Sequence, residues 1–339
     1  MPITRRRFLR KSVFAFAGAS AIPSFLISAA NAATISQGRG QRLVVIFLGG
    51  AADGLNMVVP HGESAYYAMR PTINIPRSAV IDLNGFFGFH PAMAKLQPLW
   101  QEEYLAIVHA TGFPHHSREH FEAQDFMESG TPGERSAGNT WMNRCVSKEG
   151  RSSPTQNFLA GQDFDAMPHA QAFRGSFRDN LQCLSQFIRT NPQTQVFSTE
   201  IGGWDHHSNQ GGTQGQMADL LGEFSHALFA FWSGLGNLRG DTVVVTLSEF
   251  GRSLRENSRG GTDHGHGNVM FVLGANVKGR KVYGEWPGLN PSSQLDLAVT
   301  TDLRRVLCEV VYRHLGKQNL AEVFPGFDTH PGQFLNLIG

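Results

Sequence analysis

The sequence predicts an α/β fold: a doubly wound, mostly parallel sheet with helices on both faces. Three observations point there. Five apolar runs (LVVIFLGG from Leu43, LAIVHATG from Leu105, QVFSTEI from Gln195, TVVVTL from Thr242 and NVMFVLGANV from Asn268) lack the alternation of a half-exposed strand, so they read as strands buried on both faces. Stretches of helical spacing separate most of them, as parallel crossovers require. Polar, glycine-rich segments follow the runs, where open sheets hold their ligands, just outside the carboxyl ends of strands.

Residues 1–32 read as an export address. Thr4-Arg5-Arg6-Arg7-Phe8-Leu9-Arg10 resembles a twin-arginine motif, an apolar segment runs from Val13 to Ile27, and Ala30-Asn31-Ala32 offers a small-residue cleavage site. Gly18, Ser20, Pro23 and Ser24 interrupt the segment, which falls short of the roughly 20 apolar residues of a membrane span. The expected mature chain, 33–339, is one periplasmic or secreted domain with no stable membrane span, and the twin-arginine translocase is its partner during export. Five of the 29 basic residues leave with the signal and none of the 28 acids, so 24 bases remain against 28 acids and the formal charge becomes −4. No basic stripe survives, which argues against nucleic acid as a partner. Cys145, Cys183 and Cys308 are far apart, without metal-type spacing, and allow at most one disulfide.

Along the mature chain, the first strand ends in AADGLN, placing Asp53 in a turn as either a turn former or a ligand. Met57 to Phe89, rich in Pro and Gly, reads as an irregular excursion over the sheet edge. His90 to Glu103 has helical spacing, and His109 in the second strand reads as a packed core histidine. That strand runs into FPHHSREHFEAQDFMESG, where Ser117 reads as an N-cap or, if a metal or base activates it, a nucleophile, with His115, His116 and His120 beside it. Gly130 to Gly150, carrying Trp141, reads as a lid or substrate loop, and Ser152 to Phe173 has little periodicity. Phe177 to Ile188 reads as a helix, and the third strand empties into GGWDHHSNQGG, with Asp205, His206 and His207. Met217 to Trp232 is the longest amphipathic stretch. The fourth strand delivers Ser248, Glu249 and Gly251, and the loop behind it carries Asp263, His264 and His266. Near the end Thr301 reads as the cap of a helix through Leu315, and the tail with FPGF as surface wrapping.

In a parallel sheet these strand exits share one edge. Three carboxylates and several imidazoles meeting there would set like charges against each other unless a cation joins them. Imidazole with carboxylate suits Zn, Mn or Fe better than Mg or Ca. Such a site supports Lewis-acid polarisation of a phosphoryl or sulfuryl oxygen.

The order LVVIFLGGAADG, HHSREHF, GGWDHHSNQ, SEFGR and GTDHGHG resembles an exported bacterial family of unknown function within the alkaline phosphatase and sulfatase-like superfamily. The resemblance implies an alkaline-phosphatase-like fold and a metal-dependent hydrolase of small anionic esters (phosphate, sulfate or phosphodiester) that uses Ser117 or a metal-bound water. It implies Asp53 as the first-strand metal ligand, Ser117 as nucleophile, Asp205 and His207 as one acid–imidazole pair, and His264 or His266 as the late histidine. His116 and His120, from the cluster beside Ser117, are the further catalytic candidates. Glu249 completes the expected ligand set. Phe250 stands where the superfamily has a histidine, so the second site lacks its imidazole unless His115, His116 or His120 substitutes, which leaves one firm metal site and a weaker second. It also keeps open a different reading, a catalytically silent relative that uses its metal for binding or assembly.

Overall fold

The computed structural model describes residues 40–134, 139–146, 176–190 and 194–339. The export segment and the aperiodic stretch 152–173 lie outside them. Each apolar run forms a strand: β1 (Arg42–Gly49), β2 (Leu105–Gly112), β3 (Val196–Gly202), β4 (Thr242–Leu247) and β5 (Asn268–Gly274). They lie in the order β2-β5-β4-β1-β3. Two short strands, β6 (Val282–Tyr283) and β7 (Thr301–Asp302), pair in parallel with β2 along its outer edge. β1 is parallel to β3 and to β4, whereas β5 is antiparallel to both its neighbours. The reason is the connection: residues 248–267 return from β4 without a crossover helix, and a strand reached that way can only come back reversed. The result is a mixed α/β fold with a mostly parallel sheet, in which β1 to β4 end, and β5 begins, at one edge.

Helices cover both faces. Val44, Ile46 and Leu48 of β1 pack toward α3 (Phe177–Thr190) and α4 (Gln216–Leu235). Leu43, Val45 and Phe47 pack toward α2 (Trp141–Val146) and α5 (Leu303–Glu309). α4 forms where apolar side chains recur every three or four residues: Met217, Leu221, Phe224, Leu228, Phe231 and Leu235 are all buried. The excursion over 57–89 holds a short helix, Ser64–Met69, and a small antiparallel sheet in which Gly88–Phe89 lies between Val58–Val59 and Ile81–Asp82. His109 is a core residue: its Nε2 donates to Val58 O at 3.1 Å, and burial pushes the imidazole down to about 4. Cys145, Cys183 and Cys308 are free thiols. Among the described residues no helix is long and apolar enough to cross a membrane.

Five local expectations are corrected. The cap of α1 (His120–Ser129) is Glu119, whose carboxylate accepts from Phe121 N and Glu122 N; Ser117 is not the cap. Asp302, not Thr301, caps α5, accepting from Arg304 N. His90 to Glu103 is not one helix but a 3₁₀ turn, Pro91–Leu96, followed by Gln97–Gln101, because Pro98 has no N–H to continue the ladder. Trp141 belongs to α2 rather than to a lid; it is buried and stacks on Phe324 with ring centroids 5.7 Å apart. The tail is not mere surface wrapping, since Phe324, Leu337 and Ile338 are fully buried in the core.

Candidate metal centre

The common sheet edge gathers four side chains. His120 is the first residue of α1, Asp205 and His207 follow β3, and His264 precedes β5. Ligand atoms of His120, Asp205 and His264 lie within 4.8 Å of one another. His264 Nε2 is 3.0 Å from His120 Nε2, 3.0 Å from His207 Nε2 and 3.2 Å from Asp205 Oδ1. His207 Nε2 is also 3.0 Å from Asp205 Oδ1, and His120 Nε2 is 3.6 Å from Asp205 Oδ2.

The outer ring nitrogens decide what this cluster is. His120 Nδ1 donates to Glu249 Oε1 at 2.7 Å, His207 Nδ1 to Asp263 Oδ1 at 3.2 Å, and His264 Nδ1 to the Arg118 carbonyl at 2.7 Å. A carboxylate and a carbonyl can only accept, so each Nδ1 carries its proton. In the neutral tautomer each Nε2 is then a lone pair aimed inward: that of His264 meets those of His120 and His207 as well as Asp205, and those of His120 and His207 each meet His264 and Asp205. One proton relieves part of this: Asp205 and Glu249 push the His120 imidazole up to about 9, against burial. The His207 and His264 Nε2 atoms stay 3.0 Å apart with both Nδ1 atoms engaged outward. A single divalent cation would satisfy the His120, Asp205 and His264 acceptors, whose ligand atoms form one group with His207 beside them, and imidazoles oriented through Nδ1 by outer acceptors are the usual setting of a metal-binding histidine. The donor set therefore fits a metal ion.

The loops hold these groups by close backbone approach. Gly251 N donates to His266 O, Gly265 N to Gly251 O, and Arg252 pairs with His264 in an antiparallel bridge. A Cβ on Gly251 would lie 1.9 Å from Gly267 O, and one on Gly265 would lie 2.3 Å from the Arg252 carbonyl carbon. The glycines of SEFGR and GTDHGHG are what let the two segments run this close. Beneath the imidazoles, Phe250 is buried and packs on His120 and His264 at centroid distances of 5.0 and 4.9 Å. Glu249 is fixed in turn by Gly50 N, which donates to Oε1 at 2.8 Å.

The other candidates lie elsewhere. Asp53 is buried in an ion pair with Arg70, Oδ2 to Nη1 at 2.6 Å. Glu249 reaches the cluster through His120. Ser117 donates its hydroxyl to Glu122 Oε2 at 2.6 Å. His116 is exposed and packs on His266 with ring centroids 4.3 Å apart, and His266 Nε2 donates to Phe113 O at 2.7 Å. Between the adjacent histidines, His207 faces the cluster while His206 is buried, its imidazole pushed down by burial and by Arg252.

Sequence reasoning missed Arg252. Its guanidinium is wholly buried and donates to Asp205 Oδ1 at 2.6 Å. Burial works to raise the Asp205 carboxyl, but His120, His264 and Arg252 outweigh it and hold that group well below the usual carboxylate range. The available signal was the position of Arg252 in SEFGR, directly between the acid and the histidine loop.

A family model described as "Protein of unknown function (DUF1501)" matches residues 161–318. No curated protein matches the chain. Among solved structures, the C-terminal periplasmic domain of EcEptC from Escherichia coli, in complex with Zn, is similar at TM-score 0.35 and 12% identity, over 70% of this chain and 74% of that one. The lipoteichoic acid synthase LtaP from Listeria monocytogenes is similar at TM-score 0.26 and 12% identity, over 82% of this chain and 72% of that one. Overlaps this loose do not speak to chemistry.

Proposed function

We propose that the mature chain is an exported, periplasmic metal-dependent hydrolase of phosphate or related esters, alkaline-phosphatase-like in fold. The observation that supports it is the inward convergence of three imidazoles and one carboxylate whose outer ring nitrogens are already committed. His120, Asp205, His207 and His264 would hold the ion, and the imidazole-rich set favours Zn, Mn or Fe over Mg or Ca. When bound, such an ion supplies a Lewis acid for a phosphoryl or sulfuryl oxygen and acidifies a water or hydroxyl. Glu249, Asp263 and the Arg118 carbonyl keep the imidazoles in the ligating tautomer. Arg252 holds one oxygen of Asp205, so that the carboxylate cannot turn away. The nucleophile is Ser117 or a water. In the first case Glu122 is placed to take the hydroxyl proton, since it already accepts that hydrogen bond at 2.6 Å.

A second reading, a metal-binding protein without turnover, is favoured by Phe250, which fills the floor of the cluster and offers no ligand. The mature protein, loaded in turn with Zn, Mn or Fe, should hydrolyse an aryl phosphate, a phosphodiester or an aryl sulfate. Ser117→Ala tests the hydroxyl, and Asp205→Asn should abolish turnover and metal binding together. A flat result across esters and metals, with the ion bound stoichiometrically, selects the second reading.

A further inference from the structure

The carboxylate expected to hold a metal after the first strand does not fit that task. Asp53 and Arg70 are both buried to within a few percent. All three guanidinium nitrogens of Arg70 are used: Nη1 donates to Asp53 Oδ2 and Asn56 Oδ1, Nε to Leu254 O at 2.9 Å, and Nη2 to Ser253 O at 2.8 Å. Gln210 Nε2 adds a 2.7 Å hydrogen bond to the same Asp53 oxygen. The remaining oxygen, Oδ1, is buried without a partner. One carboxylate oxygen can serve as one ligand, but a divalent ion needs about four donors or more from neighbouring groups, and the groups around Asp53 are Arg70 and Gln210, which donate to it. Among the described residues no group of candidate ligands includes Asp53.

The pair is also wired to the centre. Gln210 Oε1 accepts from Thr262 Oγ1 at 2.8 Å, Thr262 Oγ1 accepts from Arg252 Nε at 3.1 Å, and Arg252 Nη1 donates to Asp205 Oδ1. Each of the two strand-exit aspartates thus has its own fully buried arginine, and a glutamine–threonine bridge ties the two pairs together.

We infer that Arg70 is the resident cation of Asp53, so that the edge of this sheet takes one divalent metal, at the His120–Asp205–His207–His264 cluster, and not two. The inference rests on the metal-centre reading above. A fixed guanidinium neutralises the buried carboxylate and cannot dissociate, so Asp53 serves as part of the frame behind Asp205 rather than as a ligand.

Native mass spectrometry and elemental analysis of the mature chain after equilibration with Zn²⁺ give the number of ions. One equivalent is expected. The double variant Asp53→Asn with Arg70→Met removes both charges of the buried pair at once, which avoids stranding either of them. It should retain one equivalent, with a Kd raised by less than about tenfold, below the roughly 10- to 100-fold that disturbing a direct partner of a ligand costs. Asp205→Asn should lose the ion in the same assay. Two equivalents in the parent, or loss of the single equivalent in the double variant, would overturn the inference while leaving a metal protein. No ion in the parent sinks the metal centre as well. If the double variant does not fold, the parent's stoichiometry alone decides.

Discussion

An imidazole serves a metal best when its other nitrogen is held by something that keeps the proton there, and here the buried carboxylate that does so is Glu249. The carboxylate is buried and accepts from Gly50 N at 2.8 Å and from His120 Nδ1 at 2.7 Å. Glu249→Gln keeps an acceptor near His120 but removes the charge and introduces an N–H that competes for the same place. Metal affinity should fall by roughly 10- to 100-fold, the usual effect of disturbing an outer partner. Asp263 is exposed and its contact with His207 is longer, 3.2 Å, so Asp263→Asn should cost less. His116→Ala, at a residue whose ring contact is with His266, should leave the affinity unchanged. Competition titration against a chromophoric chelator measures all three. An unchanged affinity in Glu249→Gln would mean that the His120 tautomer is set by something else.

At the scale of the element, α1 matters because its first residue is a candidate ligand. Glu119 turns its carboxylate onto Phe121 N and Glu122 N, satisfying two of the donors that every helix start leaves open. Removing that cap with Glu119→Ala should lower stability by about 1 kcal/mol, and it should weaken metal binding because His120 sits on the turn that frays. A thermal melt with and without Zn²⁺ separates the two effects: the metal-free loss reports the cap, and any extra loss with metal reports the displaced imidazole. Sequence pattern found the strands because a fully buried strand must be apolar throughout, so Leu43 to Leu48 and Thr242 to Leu247 announce themselves. It found His120, Asp205, His207 and His264 as candidates because polar clusters directly after such runs have few other places to go. It failed at choices made by tertiary distance. Serine is the commoner cap, so Ser117 outranked Glu119 until the geometry was known. Nothing local marks Arg70 as the partner that occupies Asp53, and the choice between His206 and His207, or His264 and His266, depends on which way one loop turns.

The whole molecule carries a stored pH dependence in its buried carboxyls. Glu128, on α1, shares a small cavity with Phe47, Trp141 and Leu247. Burial pushes its carboxyl up to about 7, the 2.7 Å hydrogen bond from Gln124 opposes this, and Asp125 adds to it. Glu200 is likewise pushed up to about 7, by burial first and then by Glu249 and Glu128. A carboxyl that holds its proton more tightly folded than unfolded stabilises the fold at low pH. That contribution is complete below the unfolded value near 4.5 and is lost as pH rises through 7. His120 acts in the same sense at higher pH, losing its contribution between 6.5 and about 9 in the metal-free protein. Glu128, Glu200 and His120 should therefore each stabilise the metal-free chain less at pH 8 than at pH 5, with Glu128 alone accounting for at most about 3 kcal/mol. The buried imidazoles of His90, His109, His206, His266 and His314, pushed down by burial, act in the opposite sense below 6.5. Glu128→Gln mimics the protonated state and should remove the Glu128 share of the pH dependence between pH 5 and 7 while leaving the His120 portion above it. Calorimetric melts across that range decide the matter: a slope that survives Glu128→Gln unchanged would mean that Glu128 is already ionised in the folded chain.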